Sequence, residues 1–309
     1  MAHSCYGHLH ARYHTRWSAC IGTRSKLTTS TRSRPYSATD KGATVDCRIE
    51  ELQPGKNIAT VTISNPRKLN IVTTPLLVQI VENCRELANS SSIRAVVLTG
   101  GKPAPVKAPA FIGGADINEM YRLSGPDEAR QFITRIHLAC KAIRDLHVPV
   151  IARVHGYSLG AGLEIMAACD LRIASESSTF GMPEVRVGIP SVVEAALLPG
   201  LIGMARTRRM LYLAENIGAL QAESWGLVDR IVPDESSLDS AVREWAGKIC
   251  EAGPLAMREQ KRLIRKWEDC SASEGIAAGV DSFSDAYADG GNEPKAYMGH
   301  FLKKDGTKS

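Results

Sequence analysis

From about Val45 onward, short β-branched runs alternate with longer amphipathic stretches. Val45–Leu52 and Ile58–Ser64 flank Gln53-Pro54-Gly55-Lys56, a pairing that predicts a hairpin. Thr74-Pro75 predicts a helix with Thr as N-cap and Pro at the first position, running to about Ala88. Arg94–Thr99 reads as a strand. A second long helix is expected from Pro126 to about His147, because Phe132, Ile133, Ile136, Cys140, Ile143 and Leu146 recur mostly at three- and four-residue steps. Pro149 forbids its continuation. Val150–Val154 predicts a buried strand, followed by a glycine-rich turn over 156–162, an apolar helix Leu163–Cys169 and a strand Leu171–Ala174. From Leu238 the pattern is helical throughout. Strand and helix alternating through the first two thirds mark an α/β architecture with wound parallel strands.

Composition leaves this picture intact and charge refines it. Hydrophobic residues make up 44% of the 309 and charged residues 23%, an ordinary soluble globular balance. No apolar run approaches the roughly 18–20 residues of a membrane span. The net charge of +5 would suggest a polyanion partner if it were spread over the body. Instead residues 1–39 hold Arg12, Arg16, Arg24, Lys26, Arg32 and Arg34 and no acid, leaving 32 basic against 33 acidic residues elsewhere. Nucleic acid is therefore not an expected partner. A basic, hydroxyl-rich, acid-free leader reads as a mitochondrial transit peptide; a disordered extension or a mis-chosen start is the alternative. The terminal Thr-Lys-Ser lacks the final Leu of a peroxisomal address, and peroxisome and cytoplasm stand as alternative locations. The eight cysteines are scattered singly and the body holds no HxxxH pair, so reduced structural thiols and no metal site are expected.

Two turns and two carboxylates hold the candidate chemistry. Phe111-Ile112-Gly113-Gly114-Ala115-Asp116 enters a short helix, and Gly156-Tyr157-Ser158-Leu159-Gly160-Ala161-Gly162 enters the apolar one. Glycine permits positive φ and close backbone approach, and the first amides of a helix have no internal acceptor. Two such turns face to face would aim two N–H groups at one oxygen, an oxyanion hole. Tight strand-to-helix packing is the simpler explanation of either turn taken alone. Glu164 enters an otherwise apolar helix, where a carboxylate must be hydrogen-bonded or held neutral. The bland reading is a favourable first-turn charge. Glu184, in Phe180-Gly181-Met182-Pro183-Glu184, reads as catalytic or as a solvated loop charge.

Ala110–Met120 together with Val150–Pro190 resembles the signature of the enoyl-CoA hydratase/isomerase (crotonase) superfamily, a similarity extending from about Val45 to the C-terminus. The resemblance implies a spiral of repeated ββα units with a helical C-terminal region. It implies oxyanion amides at Ala115 and Ala161, where many relatives have glycine at the second position, and paired catalytic glutamates at Glu164 and Glu184. Substrate contacts would involve Gly113, Gly114, Asp116 and Gly160, with Arg67 and Lys68 of Asn65-Pro66-Arg67-Lys68-Leu69-Asn70 near the CoA phosphates. Trp225–Pro233 matches a later helix-to-strand passage of the family. The implied reaction is hydration of a 2-enoyl-CoA or its reverse, without metal or redox cofactor, CoA entering as part of the substrate. Δ3,Δ2-isomerisation and a non-catalytic RNA- or protein-binding homologue are the alternatives. Gly188–Ala196 departs from the glycine-rich stretch of common hydratases and adds Glu194 as a third possible acid.

The division expected is a leader 1–39, a core 40–237 and a helical region 238–309 serving assembly, as homotrimer or dimer of trimers, and active-site closure. The Pro-rich segment 100–110 is expected to be irregular, either solvated or shaping the pocket. Two other motifs compete for the second turn. Dinucleotide binding fails for want of the third glycine at its spacing. Gly156–Gly160 matches Gly-x-Ser-x-Gly, which would make Ser158 a hydrolase nucleophile, a role the family resemblance does not give it.

Overall fold

A computed structural model of the chain describes residues 42–305; the expected leader lies outside them. β1 (Thr44–Gln53) and β2 (Lys56–Ser64) form the expected antiparallel hairpin, closing at Gln53 opposite Lys56. α1 (Thr74–Ala88) has the predicted span, but its start is held differently. Thr73 is the N-cap residue and makes no side-chain cap bond. The Thr74 amide and hydroxyl both donate to the carboxylate of Glu119, 45 residues along the chain. A charged long-range acceptor has replaced the local cap that the sequence suggests.

Three ββα units follow. β3 (Ile93–Gly100) leads to β4 (Ala110–Ile112), α2 (Ile117–Tyr121) and α3 (Pro126–Arg144). β5 (Val150–Val154) leads to β6 (Tyr157–Leu159) and α4 (Ala161–Ala167). β7 (Leu171–Ser175) leads to β8 (Thr179–Gly181), two 3₁₀ turns (Glu184–Val187 and Val193–Leu197) and α5 (Leu198–Leu213). β9 (Ile217–Gly218), α6 (Ala219–Trp225) and β10 (Arg230–Val232) close the series. The long strands build one sheet in the order β1-β2-β3-β5-β7-β10, parallel from β2 onward. The short ones build a second sheet, β4-β6-β8-β9. This is the wound α/β spiral of repeated units expected above.

Every residue of β3 is buried, the mark of a parallel strand covered on both faces. Val96 and Leu98 join the larger core with Leu76, Ile80 and residues of α3. Ala95 and Val97 face the other way, against Leu238, Val242 and Ala246 of α7 (Glu235–Glu251). Helices α8 (Pro254–Trp267), α9 (Ala272–Asp285) and α10 (Asn292–Asp305) complete the helical C-terminal region. On α9, Ile276, Val280 and Phe283 form an apolar stripe with each residue about two thirds exposed. α3 stops at Arg144, earlier than the apolar periodicity suggests: Asp145 caps it, and Leu146 and Val148 are buried in the extended approach to β5.

Candidate active site

β4 and β6 pair in parallel, Ala110 beside Tyr157 and Ile112 beside Ser158, so the turns that follow them emerge side by side. Their approach depends on glycine: a Cβ on Gly162 would sit 2.0 Å from the Ile112 carbonyl oxygen. The first turn is stitched to residues 69–74. Gly113 N–H donates to Leu69, Val72 N–H to Gly114, and Asp116 N–H to Val72, at 2.8–3.1 Å. In the second turn, Gly160 at φ +52° and ψ −124° adopts a conformation only glycine visits readily and donates its N–H to Gly181 at 2.9 Å.

α4 begins at Ala161, two residues before the predicted start, because Ala-Gly carries no apolar signal for periodicity to register. Ala161 is thus a first helical residue, whose N–H has no acceptor inside the helix. Among the described residues, neither the Ala115 nor the Ala161 amide donates to a protein acceptor. Both residues line one cavity of about 130 Å³, together with Gly113, Gly114, Gly160, Glu164 and Glu184. Its remaining wall is apolar, with Met120 of α2 and Phe132, Ile133 and Ile136 of α3 prominent. Two free amides with two carboxyls at one small apolar cavity can stabilise a developing oxyanion and move protons beside it.

The carboxyls differ in environment. Glu164, one turn into α4, is 4% exposed, and its Oε1 accepts from the Ala195 N–H at 3.2 Å. Burial, then the nearby Glu184 charge, pushes its pKa up to about 8; the Ala195 hydrogen bond opposes this and Glu194 adds to it. Near pH 7 this carboxyl therefore holds its proton. Glu184 opens the first 3₁₀ turn, half-buried, and its Oε2 accepts from the Ser191 hydroxyl at 2.8 Å. A Cβ on Gly160 would come within 2.6 Å of Glu184 Oε1, so the Gly160 turn and this carboxylate are in direct contact.

Other predicted residues lie elsewhere. Asp116 does not line the cavity; it caps α2, accepting from the Asn118 N–H at 2.8 Å, and lies 3.7 Å from Lys68 Nζ. Arg67 and Lys68 sit exposed on the 65–70 loop. Glu194 is buried behind Glu164, with His137 Nδ1 2.8 Å from its Oε1. Ser158 is fully buried with its hydroxyl toward the Met166 sulfur at 3.8 Å, which leaves the hydrolase reading without an accessible nucleophile. The segment 100–110 does not line the cavity. Its ends are fastened by Asn70 Nδ2, which donates to the Gly101 and Ala110 carbonyls at 2.8 Å each. Ser191, the Ala195 amide and Glu119 were not legible as site or support residues, since each acts across a fold contact that no spacing encodes.

The sequence profile of the enoyl-CoA hydratase/isomerase family matches residues 53–299. The chain is 33% identical to the short-chain-enoyl-CoA hydratase of Clostridium acetobutylicum, over 82% of this chain and 94% of that protein. It is 31% identical to the crotonyl-CoA hydratase of Syntrophomonas wolfei over the same shares of each. The crystal structure of an enoyl-CoA hydratase from Mycobacterium smegmatis superposes with a TM-score of 0.77 at 26% identity, covering 84% of this chain and 96% of that one. By sequence and fold, the chain belongs to the enoyl-CoA hydratase/isomerase family, the crotonase superfamily.

Proposed function

We propose that this protein hydrates a 2-enoyl-CoA thioester, or dehydrates the corresponding 3-hydroxyacyl-CoA. The observation that carries the reading is the pair of unpartnered amides beside two carboxyls, one of which holds its proton near neutrality. The Ala115 and Ala161 N–H groups would donate to the thioester oxygen as negative charge develops on it; loss of one such donor costs roughly 3–4 kcal/mol. Water would lie between Glu164 and Glu184. One carboxyl takes a proton from the water while the other delivers one to the α-carbon, so the pair enters and leaves each turnover sharing a single proton. The apolar wall from α2 and α3 suits the acyl chain. Arg67 and Lys68, exposed on their loop, suit the CoA phosphates, and the reaction calls on no metal or redox cofactor. Isomerisation of a 3-enoyl-CoA would use Glu184 alone; the buried, proton-holding Glu164 favours hydration, as do the two hydratases at 31–33% identity.

A panel of 2-enoyl-CoA esters followed by loss of ultraviolet absorbance tests this directly. Glu164→Gln and Glu184→Gln should each lower turnover on the order of 10²-fold or more and combine non-additively. If isomerisation is the native reaction, Glu164→Gln should leave turnover of a 3-enoyl-CoA nearly intact while Glu184→Gln destroys it; near wild-type hydration by Glu164→Gln would overturn the two-carboxylate mechanism. A binding-only homologue would leave the absorbance unchanged.

Two further readings belong to the same proposal. The exposed stripe Ile276, Val280 and Phe283 on α9 suits burial against another copy of this chain, in a trimer or a dimer of trimers with the region 238–309 at the interface. The composition of the leader suits import into mitochondria.

A further inference from the structure

Beside Asp116 and Glu119, whose carboxylates hold the starts of helices, a third buried carboxylate takes no part in the proposed reaction. Glu194, on the second 3₁₀ turn, is 7% exposed and does not line the cavity. Its Oε1 accepts from His137 Nδ1 at 2.8 Å, and its Oε2 is buried with no hydrogen-bond partner. A half-satisfied carboxylate in an apolar interior is unfavourable unless it serves something. Two neighbours indicate what it serves. The residue after it, Ala195, gives its amide to Glu164 Oε1. On α3, the Cys140 thiol is fully buried; burial, then the Glu194 and Glu164 charges, holds it well above the ordinary thiol range, so it stays a neutral S–H. His137, one turn away on the same helix, is about half exposed at its side chain and reaches solvent.

We propose that Glu194, clamped from the solvent side by His137, is a positioning residue for Glu164. It anchors the 193–197 turn that presents the Ala195 amide, and its negative charge favours the protonated form of the Glu164 carboxyl. The groups facing Glu164 are Glu184 from the first 3₁₀ turn, Glu194 from the second and Cys140 from α3. Cys140 is neutral and Glu184 lies on the substrate side. Glu194 is thus the charge that acts on Glu164 from behind, where a bound substrate would not displace it.

The kinetic part of the test rests on the hydratase reading; the spectroscopic part does not. Glu194→Gln keeps the side-chain shape and removes the charge. In the pH profile of kcat/KM for hydration of crotonyl-CoA, the high-pH limb, where Glu164 loses its proton, should move to lower pH by roughly half a pH unit or more. Without substrate, pH-difference infrared spectra follow the protonated carboxyl stretch, assigned to Glu164 by its loss in Glu164→Gln. Its midpoint should fall in Glu194→Gln. It should not fall in His137→Gln, which leaves the Glu194 charge in place. A folded Glu194→Gln protein whose infrared midpoint is unmoved would overturn the proposal and reduce Glu194 to a buttress, even if turnover drops uniformly. If the parent hydrates no enoyl-CoA, the functional reading fails while the infrared midpoint still decides this one.

Discussion

Replacing Glu164 by Gln should make the protein more stable and less active, and the gain should depend on pH in a predetermined direction. The native carboxyl titrates at about 8 against an ordinary 4.5, chiefly because it is buried. In the unfolded chain it ionises freely, so between these two values folding must take up a proton. A carboxyl whose folded pKa is raised contributes stability that is fully present below the unfolded value and lost as pH rises through the folded one. At about 1.4 kcal/mol per pH unit, the loss is roughly 3 kcal/mol near pH 7 and levels off near 5 kcal/mol above pH 8. Gln stays neutral throughout and retains an oxygen for the Ala195 N–H. Imperfect accommodation of its amide group offsets part of the gain, leaving an expected benefit of about 1–3 kcal/mol near pH 8. Urea unfolding of both proteins, followed by circular dichroism at fixed protein concentration and at several pH values from 5 to 9, measures the difference. It should be smallest at pH 5, widen through neutrality and flatten beyond about pH 8. A difference independent of pH, or a variant that loses ground to the parent as pH rises, would refute the buried-acid account.

Gly160→Ala should lower turnover at least tenfold with the fold retained by circular dichroism, because its Cβ would strike Glu184 Oε1 and its backbone angles are unfavourable to alanine. Normal turnover would remove the contact from the mechanism. Light scattering on protein lacking residues 1–39 should show a trimer or hexamer, and Phe283→Asp on α9 should shift it toward smaller species; a monomeric parent at micromolar concentration counts against that interface. N-terminal sequencing of the natural protein should begin near Ser37–Asp40 if the leader directs mitochondrial import; an intact Met1 in a cytosolic pool would refute it.

What the sequence discloses and what it hides divide along a physical line. The hairpin, α1, β3, β5 and β7 were legible because apolar periodicity and turn residues act locally and the fold respects them. β4, β6 and β8, at three residues each, were not, since so short a strand has no period to display and exists only through its neighbours. Glu164 stood out as a charge in an otherwise apolar helix, whereas Glu184 was singled out by the family resemblance. The assignment of Glu164 as the group that holds its proton required its burial and the Glu184 charge, neither of which a sequence position reports. Asp116 shows the converse: the residue next to the oxyanion amide spends its carboxylate on capping α2. Glu119, on the same short helix, spends its carboxylate on the start of α1.

The stitching of residues 113–116 to the segment 69–74 also bears on how this site tolerates mutation. The donors proposed for the reacting oxygen belong to the main chain, and every residue except proline supplies the same group. Exchanging the alanine side chain at 115 for another small one leaves the donor in place, while a change at Gly113 or Leu69, whose backbones hold the turn, can misdirect it without altering any catalytic side chain. The reactive geometry is therefore encoded in where glycines permit the chain to bend. Functional damage at this turn should follow backbone freedom far more closely than side-chain polarity.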